Sequence, residues 1–249
     1  MSDKKTPLYM GAKTTDRKAS RDEVKARFNR EVAHAYSQDD PLWLPEYSEA
    51  LSLLIDSIGA NLPQDPRFLD LGAGTGNLSR RLLERFPASH VTLMDFSENM
   101  LREARNVLSE FPGRHEVVNQ DFLRASFPNS TDHAVVSSFA IHHARGVGEY
   151  SDLYRRIRQC LEPKGVFSCC DVVEGGNLHW TRLNENGWKD YLSKHFSDEK
   201  IEQVFSNYRS EDSPLSLSEH LVCLTEAGFD HVDVLWKKLN FAIYCGNIA

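Results

Sequence analysis

Between Phe68 and Ser79 the chain reads FLDLGAGTGNLS, an apolar run that ends in three alternating glycines, Gly72, Gly74 and Gly76. Glycines let a backbone turn sharply and approach a ligand without Cβ interference, and a helix opening just after them presents free N–H groups. Such a loop is built to hold a ligand against main chain. A dinucleotide fingerprint would need a glycine at position 77, where this chain has Asn77, and a triphosphate-binding loop would need a Gly-Lys-Ser/Thr ending that is absent. Two further positions extend the pattern. Asp95 closes the next apolar run, 19 residues beyond Gly76, where a carboxylate can accept both hydroxyls of a ribose. Asp121-Phe122 follows the third run and sets an acid beside an aromatic ring, suited to an adenine's amine and face. Together these parts describe an adenosine pocket at the carboxyl ends of strands.

The elements that must position them follow from hydrophobic periodicity. From about Arg21 to Ala60 the spacing of Val24, Phe28, Val32 and Tyr36, then of Tyr47, Leu51, Leu54 and Ile55, predicts two helices separated by a break at Pro41 to Pro45. Short buried strands are then expected at Arg67 to Leu71, Val91 to Met94, Glu116 to Asn119, Ala134 to Ser138 and Val166 to Asp171, with helices between them. That alternation specifies a doubly wound, Rossmann-like, mostly parallel sheet with helices on both faces. An aromatic-rich stretch, 174–214, interrupts it as a helical insertion. A helix from Leu217 to Ala227 and strands at His231 to Trp236 and Asn240 to Cys245 complete seven strands, the last two close enough to pair only as an antiparallel hairpin. The expected organisation is a mobile segment over 1–21 and one domain over 22–249, with a helical cover over 22–61.

The chain has 249 residues and a net charge of -7, an ordinary soluble globular composition with no apolar run near the roughly 20 residues of a membrane span. Its first residues lack the apolar core of a signal peptide, so a cytoplasmic location is expected. Five cysteines, without a Cys-x-x-Cys pair, indicate buried free thiols rather than a disulfide framework, and no metal site is expected. Cys169 and Cys170 point to opposite faces of a strand and cannot share a ligand. Residues 1–30 carry nine basic and four acidic side chains, leaving the remainder strongly acidic. That balance disfavours a protein that coats nucleic acid.

The combination of Asp70 to Gly76, Asp95, Asp121-Phe122, Leu161-Glu162-Pro163-Lys164-Gly165 and the terminal hairpin resembles the class I S-adenosylmethionine-dependent methyltransferases, over roughly residues 22–249. Ala33-His34-Ala35-Tyr36, Glu226-Ala227-Gly228-Phe229 and Asn240-Phe241-Ala242 look like the branch that holds small-molecule methyltransferases and a wobble-uridine tRNA modification enzyme. The resemblance implies S-adenosylmethionine as cofactor. Gly72, Gly74 and Gly76 would line its amino-acid moiety and Asp70 would orient the loop or the ammonium. Asp95 would hold the ribose, Asp121 and Phe122 would flank the adenine, and Phe96 and Met100 would be apolar neighbours.

Methyl transfer from a sulfonium draws its reactivity from the cofactor, so the protein mainly positions an acceptor and excludes water. His142 and His143, after strand four, are placed to hydrogen-bond the acceptor or remove its proton. Asp171 and Glu174, after strand five, suit a cationic acceptor. Tyr36, Trp43 and Tyr47 in the N-terminal helices, with Trp180 and Trp188 in the insertion, are expected to form an aromatic lid. The expected activity is methyl transfer to a nitrogen or oxygen of a small metabolite by a monomer or homodimer. The alternatives are methylation of tRNA or another RNA, prompted by the basic first segment, and a non-catalytic protein that binds the cofactor.

Overall fold

The apolar runs resolve into one seven-stranded sheet in the order β3-β2-β1-β4-β5-β7-β6. In the computed structural model, which describes residues 18–30, 42–59 and 62–249, the strands are β1 (Arg67–Leu71), β2 (His90–Asp95), β3 (His115–Asn119), β4 (Asp132–Ser138), β5 (Leu161–Val172), β6 (His231–Lys238) and β7 (Phe241–Asn247). Strands β1 to β5 pair in parallel, and β7 runs antiparallel to both neighbours, as the short connection after β6 requires. The order reverses direction between β1 and β4, and at such a switch point the loops leaving the strand ends separate and open a crevice.

The helices are α1 (Arg21–Arg30), α2 (Tyr47–Ser57), α3 (Asn77–Arg85), α4 (Glu98–Val107), α5 (Gly146–Cys160), α6 (Leu178–Leu192), α7 (Asp198–Glu211) and α8 (Leu217–Glu226). Adjacent strand residues serve opposite faces. Cys170 packs in one core with α2, α3 and the insertion, whereas Cys169 packs in the other with α5 and α8. The 174–214 stretch is helical, built from α6 and α7, each opened by a side-chain cap from Asn177 or Ser197. Residues 1–17, and with them most of the basic first segment, lie outside the described residues, as does the stretch that contains Ala33 to Tyr36. Among the described residues no helix is long and apolar enough to cross a membrane.

Candidate functional site

The glycine loop leaves β1 and is folded back on β2. Gly72 N–H and Ala73 N–H both donate to the Met94 carbonyl, at 2.8 and 3.2 Å. Gly72, Gly74 and Gly76 all have positive φ, at 67, 54 and 82°. That conformation is costly for any residue with a Cβ. At Gly72 space is also closed, because a Cβ there would stand 2.2 Å from that of Ala140. Gly74 differs, with nothing within 4 Å of a Cβ built on it. Its N–H donates to Asp95 Oδ2 at 3.0 Å, and Asp95 Oδ1 accepts from Ser97 N at 2.8 Å, so one carboxylate ties the loop to the start of α4. Burial pushes Asp95 up despite these N–H donors. Two lone pairs of that carboxylate remain for a ligand's hydroxyls.

Asp70 sits beneath the loop, fully buried, with Oδ2 accepting from Ser79 Oγ at 2.7 Å and Oδ1 unpartnered. Burial, opposed by the Ser79 hydroxyl and reinforced by Asp95, pushes its carboxyl up to about 7. Asn77, at the position where a dinucleotide fingerprint needs glycine, donates to the Tyr47 hydroxyl at 2.7 Å and joins the loop to α2.

Above the strand tips lies a cavity of about 610 Å³, within the size range of small-molecule sites. It joins two regions. One is walled by Gly72, Gly74, Asp95, Phe96, Met100 and Phe122, and the other by Trp43, Tyr47, Phe139, His142, His143 and residues of α7. Helix α1 covers the first. Phe28 sets its ring edge-on to Phe96 and to His143, each at 5.8 Å, and Ser97 Oγ donates to Asn29 Oδ1. Arg27 closes the roof by donating to both oxygens of Glu211 on α7, at 2.7 and 2.5 Å.

The histidines reach the rim through a strained turn. Phe139, with φ 54°, ends β4 in the left-handed region, and a 3-10 turn over Ile141–His143 follows. Asp171, at the end of β5, accepts from His142 N at 3.0 Å and meets His142 Nδ1 at 2.5 Å. His142 Nε2 lies 3.6 Å from Asp212 Oδ1, and His143 Nδ1 is 3.2 Å from the same oxygen without hydrogen-bond geometry. Burial alone would lower the His142 pKa, but Asp171 and Asp212 outweigh it and hold the imidazole up at about 9. Asp212 is held below the usual carboxylate range, since the two imidazoles overcome its burial.

The cavity therefore unites Gly72, Gly74, Asp95, Phe96, Met100, Phe122, Trp43, Tyr47, His142 and His143. Several anticipated residues lie elsewhere. Asp70 and Gly76 support the loop from behind, and Asp171 is a buried positioning residue behind His142. Asp121 turns its carboxylate back to cap Leu123 N at 3.0 Å, so only its neighbour Phe122 walls the cavity. Glu174 is exposed beyond the end of β5, where its backbone bridges to Ser216. Trp180 is half exposed near the start of α6 and stacks edge-on with His179 instead of closing a lid. Tyr36 is outside the described residues.

Other wall residues were not anticipated: Arg27, Lys200, Gln203, Asn207, Glu211 and Asp212. Those of α7, with Val204 and Tyr208, recur at helical spacing over 200–211 and form one stripe facing the cavity. The stripe is largely polar. A search for apolar periodicity passes over it, whereas a search for any residue class at that period finds it.

A family model described as a methyltransferase domain matches residues 68–165. The chain is 25% identical to a carboxy-S-adenosyl-L-methionine synthase of Nautilia profundicola, over 89% of this chain and 94% of that protein. It is 29% identical to a demethylmenaquinone methyltransferase of Listeria monocytogenes, over 51% of this chain and 50% of that protein. The fold superposes on human N-acetylserotonin methyltransferase, solved in complex with S-adenosylmethionine, with a TM-score of 0.57 and 16% identity, over 90% of this chain and 56% of that one. Residues 68–165 thus match a methyltransferase domain, the chain as a whole has the fold of S-adenosylmethionine-dependent methyltransferases, and its cofactor is S-adenosylmethionine.

Proposed function

We propose that this enzyme transfers a methyl group to a nitrogen or oxygen of a small-molecule acceptor held beside His142 and His143. The observation that carries the reading is the continuity of the cavity from the glycine loop and Asp95 to the histidine corner under one roof. The loop region fits the cofactor: Gly74 offers open space at a positive φ, Asp95 retains acceptor capacity, and Phe96, Met100 and Phe122 supply apolar walls. When bound, S-adenosylmethionine supplies an electrophilic methyl group on a sulfonium, and the acceptor's lone pair displaces the thioether in line.

The chain's own work is placement. Asp95 would hold the ribose hydroxyls, while the backbone at Gly72 and Gly74 would pass close to the methionine part. Trp43, Tyr47, Phe139 and Tyr208 would bracket an acceptor, and the imidazoles would hydrogen-bond it. Helices α1 and α7, joined by Arg27 and Glu211, would keep water out. The Asp212 carboxylate favours a neutral or cationic acceptor over an anion.

The end-to-end match to carboxy-S-adenosyl-L-methionine synthases favours a second reading, in which the cofactor itself is modified with a carboxyl group. That chemistry asks for a cation beside the new carboxylate. In this cavity the Arg27 guanidinium is already paired with Glu211, and Lys200 and the His142 imidazole are the other cationic groups on its wall, so the outcome turns on which product forms.

Calorimetric titration with S-adenosylmethionine, its demethylated product and NAD, repeated on Asp95→Ala, tests the ligand half. Binding of the two sulfur ligands alone, lost in the variant, is expected. Incubation with a metabolite panel should then give the demethylated product and an acceptor heavier by one methylene. A cofactor gaining a carboxyl mass instead would support the second reading, and activity on RNA that collapses steeply with salt would replace the small-molecule acceptor.

A further inference from the structure

We propose that His142, His143 and Asp212 form a binding site for a divalent transition-metal cation at the acceptor end of the cavity. One donor atom from each of the three lies within 4.8 Å of the others, and all three residues line the cavity. Bonds of about 2.0–2.2 Å to nitrogen and oxygen donors place neighbouring ligand atoms roughly 3–3.5 Å apart. The separations from Asp212 Oδ1, 3.6 Å to His142 Nε2 and 3.2 Å to His143 Nδ1, are already near that value. A small inward movement of the side chains completes the geometry.

Three further observations point to a cation. The Nδ1 edge of His142 is engaged by Asp171 at 2.5 Å, which directs Nε2 toward the cluster. This carboxylate–histidine pairing behind the ligand edge is the arrangement that orients metal-binding imidazoles. His143 Nδ1 is buried and has no hydrogen-bond partner, although it faces a carboxylate at 3.2 Å. Such an orphan is costly, and a cation shared with Asp212 would satisfy it. Finally, the corner gathers three carboxylates, Asp171, Asp212 and Glu211. Of these Glu211 is matched by Arg27, and Lys18 donates to the Asp212 main-chain carbonyl. A two-nitrogen, one-oxygen set suits zinc, cobalt, nickel or ferrous iron better than magnesium or calcium. With three protein ligands and an open cavity, the remaining coordination positions face the acceptor, as in catalytic rather than structural sites. The inference concerns metal binding alone and stands whether or not the acceptor reading does.

The test is titration of untagged, chelator-treated protein with cobalt(II), read by visible d–d absorption and by calorimetry, without cofactor or acceptor. One cobalt per chain is expected. His143→Ala and Asp212→Asn should each weaken it by about tenfold or more, as should Asp171→Asn through loss of imidazole orientation. His179→Ala, on the outside of α6, controls for surface histidines and should bind as wild type. Thermal melts and S-adenosylmethionine titration of each variant show that it is folded. Absence of stoichiometric binding overturns the site, as does binding unchanged in both His143→Ala and Asp212→Asn. Should His143→Ala fail to fold, His143→Gln and Asp212→Asn decide.

Discussion

The two glycines at the head of the loop make a matched pair of perturbations. Gly74→Ala puts a methyl group into open cavity at φ 54°, so its cost to folding is the left-handed penalty alone, about 1–2 kcal/mol. Gly72→Ala carries the same penalty at φ 67° and also drives its methyl to 2.2 Å from the Ala140 Cβ. Because the Ala140 methyl cannot rotate away, relieving that overlap adds about 1–3 kcal/mol. For a chain of this size each kcal/mol lowers Tm by roughly 2–4 °C. Gly74→Ala should therefore melt a few degrees below wild type, and Gly72→Ala about twice as far below. The folded Gly74→Ala protein should also lose about 10–100-fold in affinity for S-adenosylmethionine, because its new methyl occupies ligand space. Scanning calorimetry and isothermal titration on the same preparations give both numbers. Wild-type affinity in Gly74→Ala would refute the placement of the methionine part against this loop, and equal destabilisation of the two variants would refute the packing argument.

Asp70 ionises at about 3.8 when unfolded and at about 7 in the fold, so the folded chain retains a proton that the unfolded chain has released. Its contribution is full at low pH and is lost as pH rises to about 7. Asp70→Asn should flatten that slope in denaturant titrations, gaining at most about 2–3 kcal/mol relative to wild type between pH 5 and 7, from about 1.4 kcal/mol per unit. An unchanged slope would show that Asp70 is ionised in the fold. Arg27→Ala should cost about 3–5 kcal/mol because Glu211 is left buried without its cation, and Glu211→Gln should cost less because the Arg27 guanidinium is partly exposed and lies over the Phe28 ring. The double variant should lose less than the sum in urea unfolding, and strict additivity would deny the coupling. Trp43→Ala should lower turnover more than stability, and native kinetics with native stability would remove Trp43 from acceptor binding.

The parts of the site visible in the sequence are those whose signal is local. The loop glycines, Asp95 and Phe122 each follow a strand, and a parallel sheet brings successive strand ends to one edge, so spacing along the chain translates directly into proximity. The same reasoning places the histidines at the rim, since β4 stands beside β1. It fails for Asp121 and Asp171 because it fixes where a residue lies and not where its side chain turns. Asp121 accepts from a backbone N–H two residues on, Asp171 meets an imidazole, and neither lines the cavity.

The acceptor end was hidden for another reason. Its wall is a polar stripe on α7 that meets α1 only in the folded chain, through a pair 184 residues apart. No periodicity within either helix encodes that pairing, and an arginine or glutamate on a helix is ordinarily a solvated one. Asp212 was hidden similarly. It lies just past the end of α7, yet the Ser213 N–H that follows donates to the His142 carbonyl at 2.9 Å and pins the carboxylate beside both imidazoles. The chemistry of the corner thus arises from the 174–214 insertion and the N-terminal helix α1 converging on a common sheet edge. The regular geometry of that edge makes the cofactor half readable, whereas the other half is built by long-range contacts that no local pattern encodes.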